Sequence, residues 1–155
     1  MPLIIGTNAY VALDEADAYF SERLNSSGWE AASSQKRVNV LLAATAALDR
    51  LGFNGMIASR EQRLAWPRIR VRDREGRIPS PDAVPDAVKA ATCEFALHLL
   101  TKPSATEPAP AVSQKRVGDL QISYRAASPD PVPFAVRQHL APFLSDSAHS
   151  LEVVL

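Results

Sequence analysis

Two apolar stripes at helical spacing, separated by a long stretch with no periodicity, set the terms on which this chain can fold. Val38, Leu41, Leu42, Thr45 and Leu48 share one face of a helix over 34–51, and Val88, Ala91, Thr92, Phe95 and Leu99 share one face of a helix over 85–101. Each stripe needs a surface to bury it, so the two helices are expected to pack on each other. The residues between 53 and 80 then have to be carried as an insert on that pair. Ser33 or Ser34 supplies a cap for the first of these helices, Gly52 is placed to end it in the left-handed conformation, and Pro85 suits the first turn of the second.

Two shorter helices complete the predicted body. Leu13, Ala16, Phe20 and Leu24 repeat at helical spacing over 13–24, with Asp14, Glu15 and Asp17 at the end where the helix dipole favours carboxylates. Asn25-Ser26-Ser27-Gly28 breaks that pattern, and Trp29 beyond it reads as a core plug at a helix junction. Pro131 and Pro133 precede a helix over 133–144 with Val136, Leu140, Phe143 and Leu144 on its apolar side. With 155 residues and 46% apolar content the chain fits one domain. The expected fold is mainly α: about four helices in a small bundle, a β-hairpin arm and an extended C-terminal tail.

The insert holds the least ordinary residues. Gln62-Arg63-Leu64-Ala65-Trp66-Pro67-Arg68 sets a large aromatic, a rigid proline and a guanidinium side by side, and Arg60, Arg63, Arg68, Arg70, Arg72, Arg74 and Arg77 crowd together in a chain of zero net charge. Arg60 to Leu64 suits one turn of helix, which Pro67 closes by pushing Trp66 towards extended backbone. Ile69 and Val71 alternate with Arg70 and Arg72 before Asp73-Arg74-Glu75-Gly76, so a small hairpin turning there is expected. Three readings of the arginines stand side by side. They form a solvated strand face balanced by Asp73 and Glu75, an interface anchored by Arg and Trp, or a nucleic-acid contact in which Trp66 stacks on a base.

After the helical body (1–102, insert at 53–80) comes a Pro- and Ala-rich linker over 103–111. An arm at 112–125 comes next, in which Leu120, Ile122 and Tyr124 alternate with Gln121 and Ser123 beyond a Gly118-Asp119 turn. An isolated hairpin is marginal in water, so its apolar face needs a partner. The helix counted over 131–144 leads to a tail, 145–155, whose Leu151-Glu152-Val153-Val154-Leu155 end resembles an unpaired strand open to augmentation by another chain. Leu151, Val153 and Leu155 are its candidate contact residues.

Catalytic patterns are missing from the sequence. His98, His139 and His149 are dispersed without metal-ligand spacing, Cys93 has no motif to lower its pKa, and no glycine-rich phosphate loop occurs. The carboxylates Asp14, Glu15 and Asp17 read as helix-start residues and not as a divalent-metal site. No enzyme activity, cofactor or metal is expected. Zero net charge argues against a protein that coats nucleic acid over its whole surface. One cysteine excludes an intrachain disulfide, Leu3-Ile4-Ile5 is too short for a signal-peptide core, and no apolar run spans a bilayer, so the expectation is a soluble protein made in the cytoplasm, without a membrane partner.

Tyr10-Val11-Ala12-Leu13, Glu15 to Phe20, Trp29, Ala43 to Leu48, Gln62 to Arg68, Ile78-Pro79, Val84-Pro85 with Ala87, Val88, Ala91 and Thr92, and Lys115-Arg116-Val117-Gly118 together resemble the tailed-bacteriophage head-to-tail connector (adaptor) proteins. Members are often labelled DnaT-like single-stranded-DNA-binding proteins. The resemblance runs in order from Tyr10 to about Leu144 and implies a mostly helical structural protein of the virion neck, made in the host bacterial cytoplasm. Such subunits assemble as a homo-oligomeric ring, commonly dodecameric, between the portal protein and the next neck or tail-completion protein. The ring extends the channel through which double-stranded DNA passes at genome ejection without sequence-specific binding. A phage single-stranded-DNA-binding replication accessory protein is the alternative. Within the ring, Trp66 would anchor on the helical body while Pro67 directs Arg68, Arg70, Arg72 and Arg74 towards a neighbour or the portal. The chain departs from its relatives at Ala12, where they tend to carry Ser. Loss of such a cap costs about 1 kcal/mol, so the first helix is expected to start later or to lean on Asp14.

Overall fold

Described residues are 1–102, 114–117, 120–123 and 132–145 of a computed structural model. In chain order they form α1 (Leu13–Ser21), α2 (Ser27–Glu30), α3 (Ser34–Leu48), β1 (Met56–Ile57), β2 (Arg68–Ile69), α4 (Asp86–Thr101), β3 (Gln114–Val117), β4 (Leu120–Ser123) and α5 (Phe134–Leu140), which a 3-10 turn at Ala141–Phe143 continues. The fold is small and mainly α. Among the described residues, no helix is long and apolar enough to cross a membrane.

α4 is the hub. It packs against α3 as the two apolar stripes require, and also against α1, α2 and α5. That is why Cys93 and Ala96 are buried along with Val88, Ala91, Thr92 and Phe95: the helix is covered on more than one side, and small side chains let neighbours approach. Thr92 is buried without penalty because its Oγ1 donates to the Val88 carbonyl at 2.8 Å. On the α1–α2 side, Phe20 stacks on Trp29 with ring centroids 4.6 Å apart. The Trp29 indole N–H donates to Asp17 Oδ1 at 2.8 Å, and Arg37 donates to both Asp17 and the Trp29 carbonyl. Trp29 is thus a core residue whose one polar atom is satisfied.

Several element ends differ from the sequence expectation, each for a local reason. The first helix stops at Ser21 and not near Leu24, where the chain turns back through Arg23 N–H to Phe20 O and leaves Leu24 fully exposed. Its start is held by Glu15 and not Asp14: Glu15 Oε2 accepts the Ala12 N–H at 3.0 Å, half of a capping box that survives without a hydroxyl at the cap. The break expected at 25–28 is shorter, because the one-turn α2 begins at Ser27 and runs through Trp29 to Glu30. α3 begins as expected, with Ser33 Oγ accepting from Lys36 N–H, but ends at Leu48 rather than 51. Gly52 is not left-handed. Its value is space, since a Cβ there would lie 2.8 Å from Ser145 Oγ. Pro85 is the cap of α4, one residue before its first turn. The last helix divides at Leu140 because Pro142 has no N–H for the next α-helical bond, and the chain tightens to 3-10.

β3 and β4 pair antiparallel in the register Lys115↔Ile122 and Val117↔Leu120, inside the predicted 112–125 arm. Gly118-Asp119, Tyr124, the 103–111 linker and the tail from 146 onward lie outside the described residues.

Glu15 also accepts Lys89 Nζ at 2.6 Å, joining α1 to α4. The Lys89 bond and then the Ala12 N–H hold its carboxyl below the usual carboxylate range. Because the folded value is lowered, the contribution is full above the unfolded pKa of about 4.3 and is lost as pH falls through the folded value. Both side chains are partly exposed, so Glu15→Gln should cost less than about 1 kcal/mol near neutral pH. In urea titrations at several pH values, the gap between variant and parent should close in acid.

Candidate interaction surface

The insert is fastened to the body by a carboxylate. Asp49, just past the end of α3, accepts the Tyr10 hydroxyl through Oδ1 in a short hydrogen bond and accepts the Ala65 N–H at the same oxygen at 2.6 Å. Burial, then the Asp49 contact, pushes the Tyr10 hydroxyl well above the ordinary phenol range, so it remains a donor. The next residue, Trp66, is 1% exposed and lies edge-on between Phe53 at 5.5 Å and Phe143 at 4.8 Å between ring centroids. Its indole Nε1 has no hydrogen-bond partner among the described residues, so Trp66 contributes by area and shape. The Trp66–Pro67 peptide bond is cis.

Arg68 turns back into the fold. Its guanidinium donates to the carbonyls of Asn54 at 2.8 Å, Gly55 at 3.0 Å, Ala65 at 3.1 Å and Phe53 at 3.4 Å, and lies over the Phe53 ring. One side chain thereby organises both strands of the insert. Gly55 has φ +72°, and a Cβ there would press on the Ile69 carbonyl and lie 2.7 Å from Val71 Cγ1. Only glycine fits this crossing.

The hairpin expected to run from Ile69 through the 73–76 turn does not form as a sheet. β2 pairs instead with the upstream β1, in the register Met56↔Ile69 and Ile57↔Arg68. Arg70 takes a left-handed backbone with φ 59°, which ends the alternation after Ile69. Arg60 to Leu64 is not helical either; the chain makes a turn at Ser59–Gln62, closed by Gln62 N–H to Ser59 O and Ser59 N–H to Gln62 Oε1. Gln62 Nε2 then donates to the Pro67 carbonyl at 3.0 Å, tying this turn to β2. The Asp73–Arg77 turn does form, with Asp73 accepting from the Glu75 and Arg77 N–H groups and from Arg77 Nε.

The arginines therefore divide into two groups. Arg68 is bound to four carbonyls, Arg72 donates to Gly76 O, Arg74 to Gln138 O, and Arg77 pairs with Asp73 at 2.8 Å. Arg60, Arg63 and Arg70 are exposed and make none of the hydrogen bonds or ion pairs found among the described residues. Met56 and Ile57, which no sequence pattern singles out, are 51% and 42% exposed beside them. Their one signal is an apolar pair belonging to neither period. A separate cleft of about 380 Å³ between the 73–77 turn and α5 is lined by Asp73, Arg74, Arg77, Gln138, His139 and Phe143.

Of the remaining predicted contact residues, Leu120 and Ile122 lie on β4, whereas Tyr124, Leu151, Val153 and Leu155 lie outside the described residues. Cys93 is buried, and burial pushes its thiol up to about 12, which removes it as a nucleophile near neutral pH. His98 sits on α4 beside Phe95, its pKa lowered by burial and by Lys102. No group of three metal-ligating side chains occurs among the described residues.

Two substitutions separate wedge from fork. Trp66→Ala should cost about 3–5 kcal/mol by the cavity it opens between two phenylalanines. Arg68→Lys should cost about 1–3 kcal/mol, because an ammonium cannot reach four carbonyls at once. Urea denaturation of both, with the parent as reference, measures each.

Neither a curated protein nor a solved structure matches the chain. A family model does match, over residues 3–155, and the chain belongs to the family described as "Putative DnaT-like ssDNA binding protein".

Proposed function

We propose that this protein is a non-catalytic assembly subunit, a head-to-tail adaptor of a tailed bacteriophage. In this reading it forms a ring in the virion neck between the portal and the next neck or tail-completion protein, and double-stranded DNA passes through without being read. The observation that carries the proposal is the inward use of Trp66 and Arg68. A single-strand binder stacks bases on exposed aromatic rings, yet Trp66 and Trp29 are both core residues. Among the described residues the large exposed apolar side chains are Ile4, Ile5, Leu24, Met56, Ile57, Ile78 and Phe134 along with the initial Met1, mostly aliphatic. Such side chains suit protein contacts better than nucleobases. Symmetric rings bury surfaces of this kind against neighbours.

The second reading, a replication-associated single-stranded-DNA-binding module, is favoured by the family description and by the free charges of Arg60, Arg63 and Arg70. A salt series with a labelled oligothymidylate separates the two. The adaptor reading expects weak, non-specific affinity, in the range of about 10⁻⁴–10⁻⁶ M at physiological salt. Tight binding that falls steeply with salt and is lost in Arg60→Glu/Arg63→Glu/Arg70→Glu would overturn it. Trp66→Ala is the wrong probe, because Trp66 is buried and its loss changes stability rather than an exposed contact. Cryo-electron microscopy of intact particles gives the positive arm: density for this chain in a ring under the portal.

A further inference from the structure

The β1–β2 ribbon carries a surface that the fold itself does not use. Met56 and Ile57 point to opposite faces of the pleat and are nevertheless both exposed, so the ribbon stands clear of the core at this point. The Ala58 N–H donates to the Pro67 carbonyl at 3.2 Å, which makes Ile57↔Arg68 a non-hydrogen-bonded pair of the antiparallel ladder. The N–H and C=O of Ile57 accordingly point outward, with no partner among the described residues.

Free positive charge flanks this apolar step at both ends. Arg70 comes directly after Ile69, the residue paired with Met56. Arg60 is three residues beyond Ile57, and so within about 10 Å of it along the chain. Arg63 leaves the turn that Gln62 ties to Pro67. All three are exposed; Glu61, the nearest carboxylate in sequence, stays charged while it accepts Ser59 Oγ at 2.6 Å, so three positive charges face one negative charge. Arg70 holds its left-handed backbone although its side chain makes no hydrogen bond or ion pair within the described protein. Non-glycine residues in that conformation cluster at ligand contacts.

We propose that the exposed Met56–Ile57 step, with Arg60, Arg63 and Arg70 around it, is the docking surface for an extended segment of a partner protein in which carboxylates alternate with aliphatic side chains. Charge complementarity selects the carboxylates. The outward backbone groups of Ile57 and the two aliphatic side chains select an extended apolar strand over a phosphodiester, which offers neither a matching hydrogen-bond pair nor an apolar face. The partner's being a protein rests on the assembly reading above; the charges and the open backbone do not.

The test uses the full chain and three labelled probes: a peptide alternating Glu and Val, a peptide of equal charge alternating Glu and Gly, and an oligothymidylate of equal charge. The expected order is Glu–Val tightest, with the Ile57 amide protected from hydrogen exchange in its complex. Binding should weaken by at least about tenfold in Arg60→Glu/Arg63→Glu/Arg70→Glu. Those residues support nothing inside the fold, so the thermal midpoint should not move, and Lys36→Glu/Arg50→Glu on exposed parts of α3 and its exit serves as a charge control that leaves binding intact. Failure of the Glu–Val peptide to bind, or binding indifferent to the triple variant, overturns the proposal. If rings still form on portals in that case, the adaptor reading survives. Equal or tighter binding of oligothymidylate through the same arginines overturns both.

Discussion

The carboxylate of Asp49 is the point on which the arrangement of this protein depends. It lies at the exit of α3, where a negative charge meets the negative end of the helix dipole, an unfavourable placement worth about 0.3–1 kcal/mol. Two donors outweigh that: the Tyr10 hydroxyl from thirty-nine residues earlier and the Ala65 N–H from sixteen residues later. Hydrogen bonds to a charged acceptor contribute about 1.5–3 kcal/mol each. The N-terminal segment, the end of the long helix and the insert are therefore pinned to a single atom. Trp66 is delivered into the core as the next residue after the pinned one, and the pinning sets the direction in which β2 leaves the body.

A second consequence falls at the other end of the chain. Trp66 fills the space between Phe53 and Phe143, so the insert and the 3-10 turn after α5 share one aromatic cluster. The backbones meet there too, with Asn54 N–H on the Phe143 carbonyl at 2.8 Å and Ser145 N–H on the Gly52 carbonyl at 3.0 Å. Gly52 lacks the Cβ that would block Ser145, so a residue with the character of a helix terminator is a point of close approach. The last described turn of the chain is thereby clamped to the first residues of the insert.

Legibility in the sequence belongs to the parts that repeat. The α4 stripe, the Ser33 cap and the Val136–Leu140–Phe143 face all rest on periodicity or on one local rule and are found in place, whereas the α3 stripe holds at Leu41, Thr45 and Leu48 only: Val38 and Leu42 are half-buried at its margin and Ala44 takes the core position. The strand pairing of the insert is not legible in this way. Ile69 and Val71 alternate with arginines and precede good turn chemistry, so local rules pair them with the residues beyond the Asp73–Gly76 turn. The pairing is instead decided by Arg68, whose guanidinium collects carbonyls from Phe53 to Gly55 and brings β1 alongside. Nothing within a few residues of Arg68 signals that. The Tyr10–Asp49 contact is hidden for the same reason, since an acid with distant partners has the same local sequence signature as an exposed one.

The same division sorts the arginines by role. Arg68, Arg72, Arg74 and Arg77 each neutralise or organise something the fold has already built, and a loop rich in backbone carbonyls explains their presence without any partner. Arg70 is different. A non-glycine residue in the left-handed region costs about 1–2 kcal/mol, and the insert uses glycine at its other left-handed positions, Gly55 and Gly76. Glycine would remove that cost at position 70 as well. An arginine there, with its side chain in solvent beside exposed Met56 and Ile57, gains nothing from the described fold to offset the strain. On the proposed docking surface that offset would come from a carboxylate of the partner, for which a guanidinium has something to offer that glycine lacks: a charge and a planar set of donors.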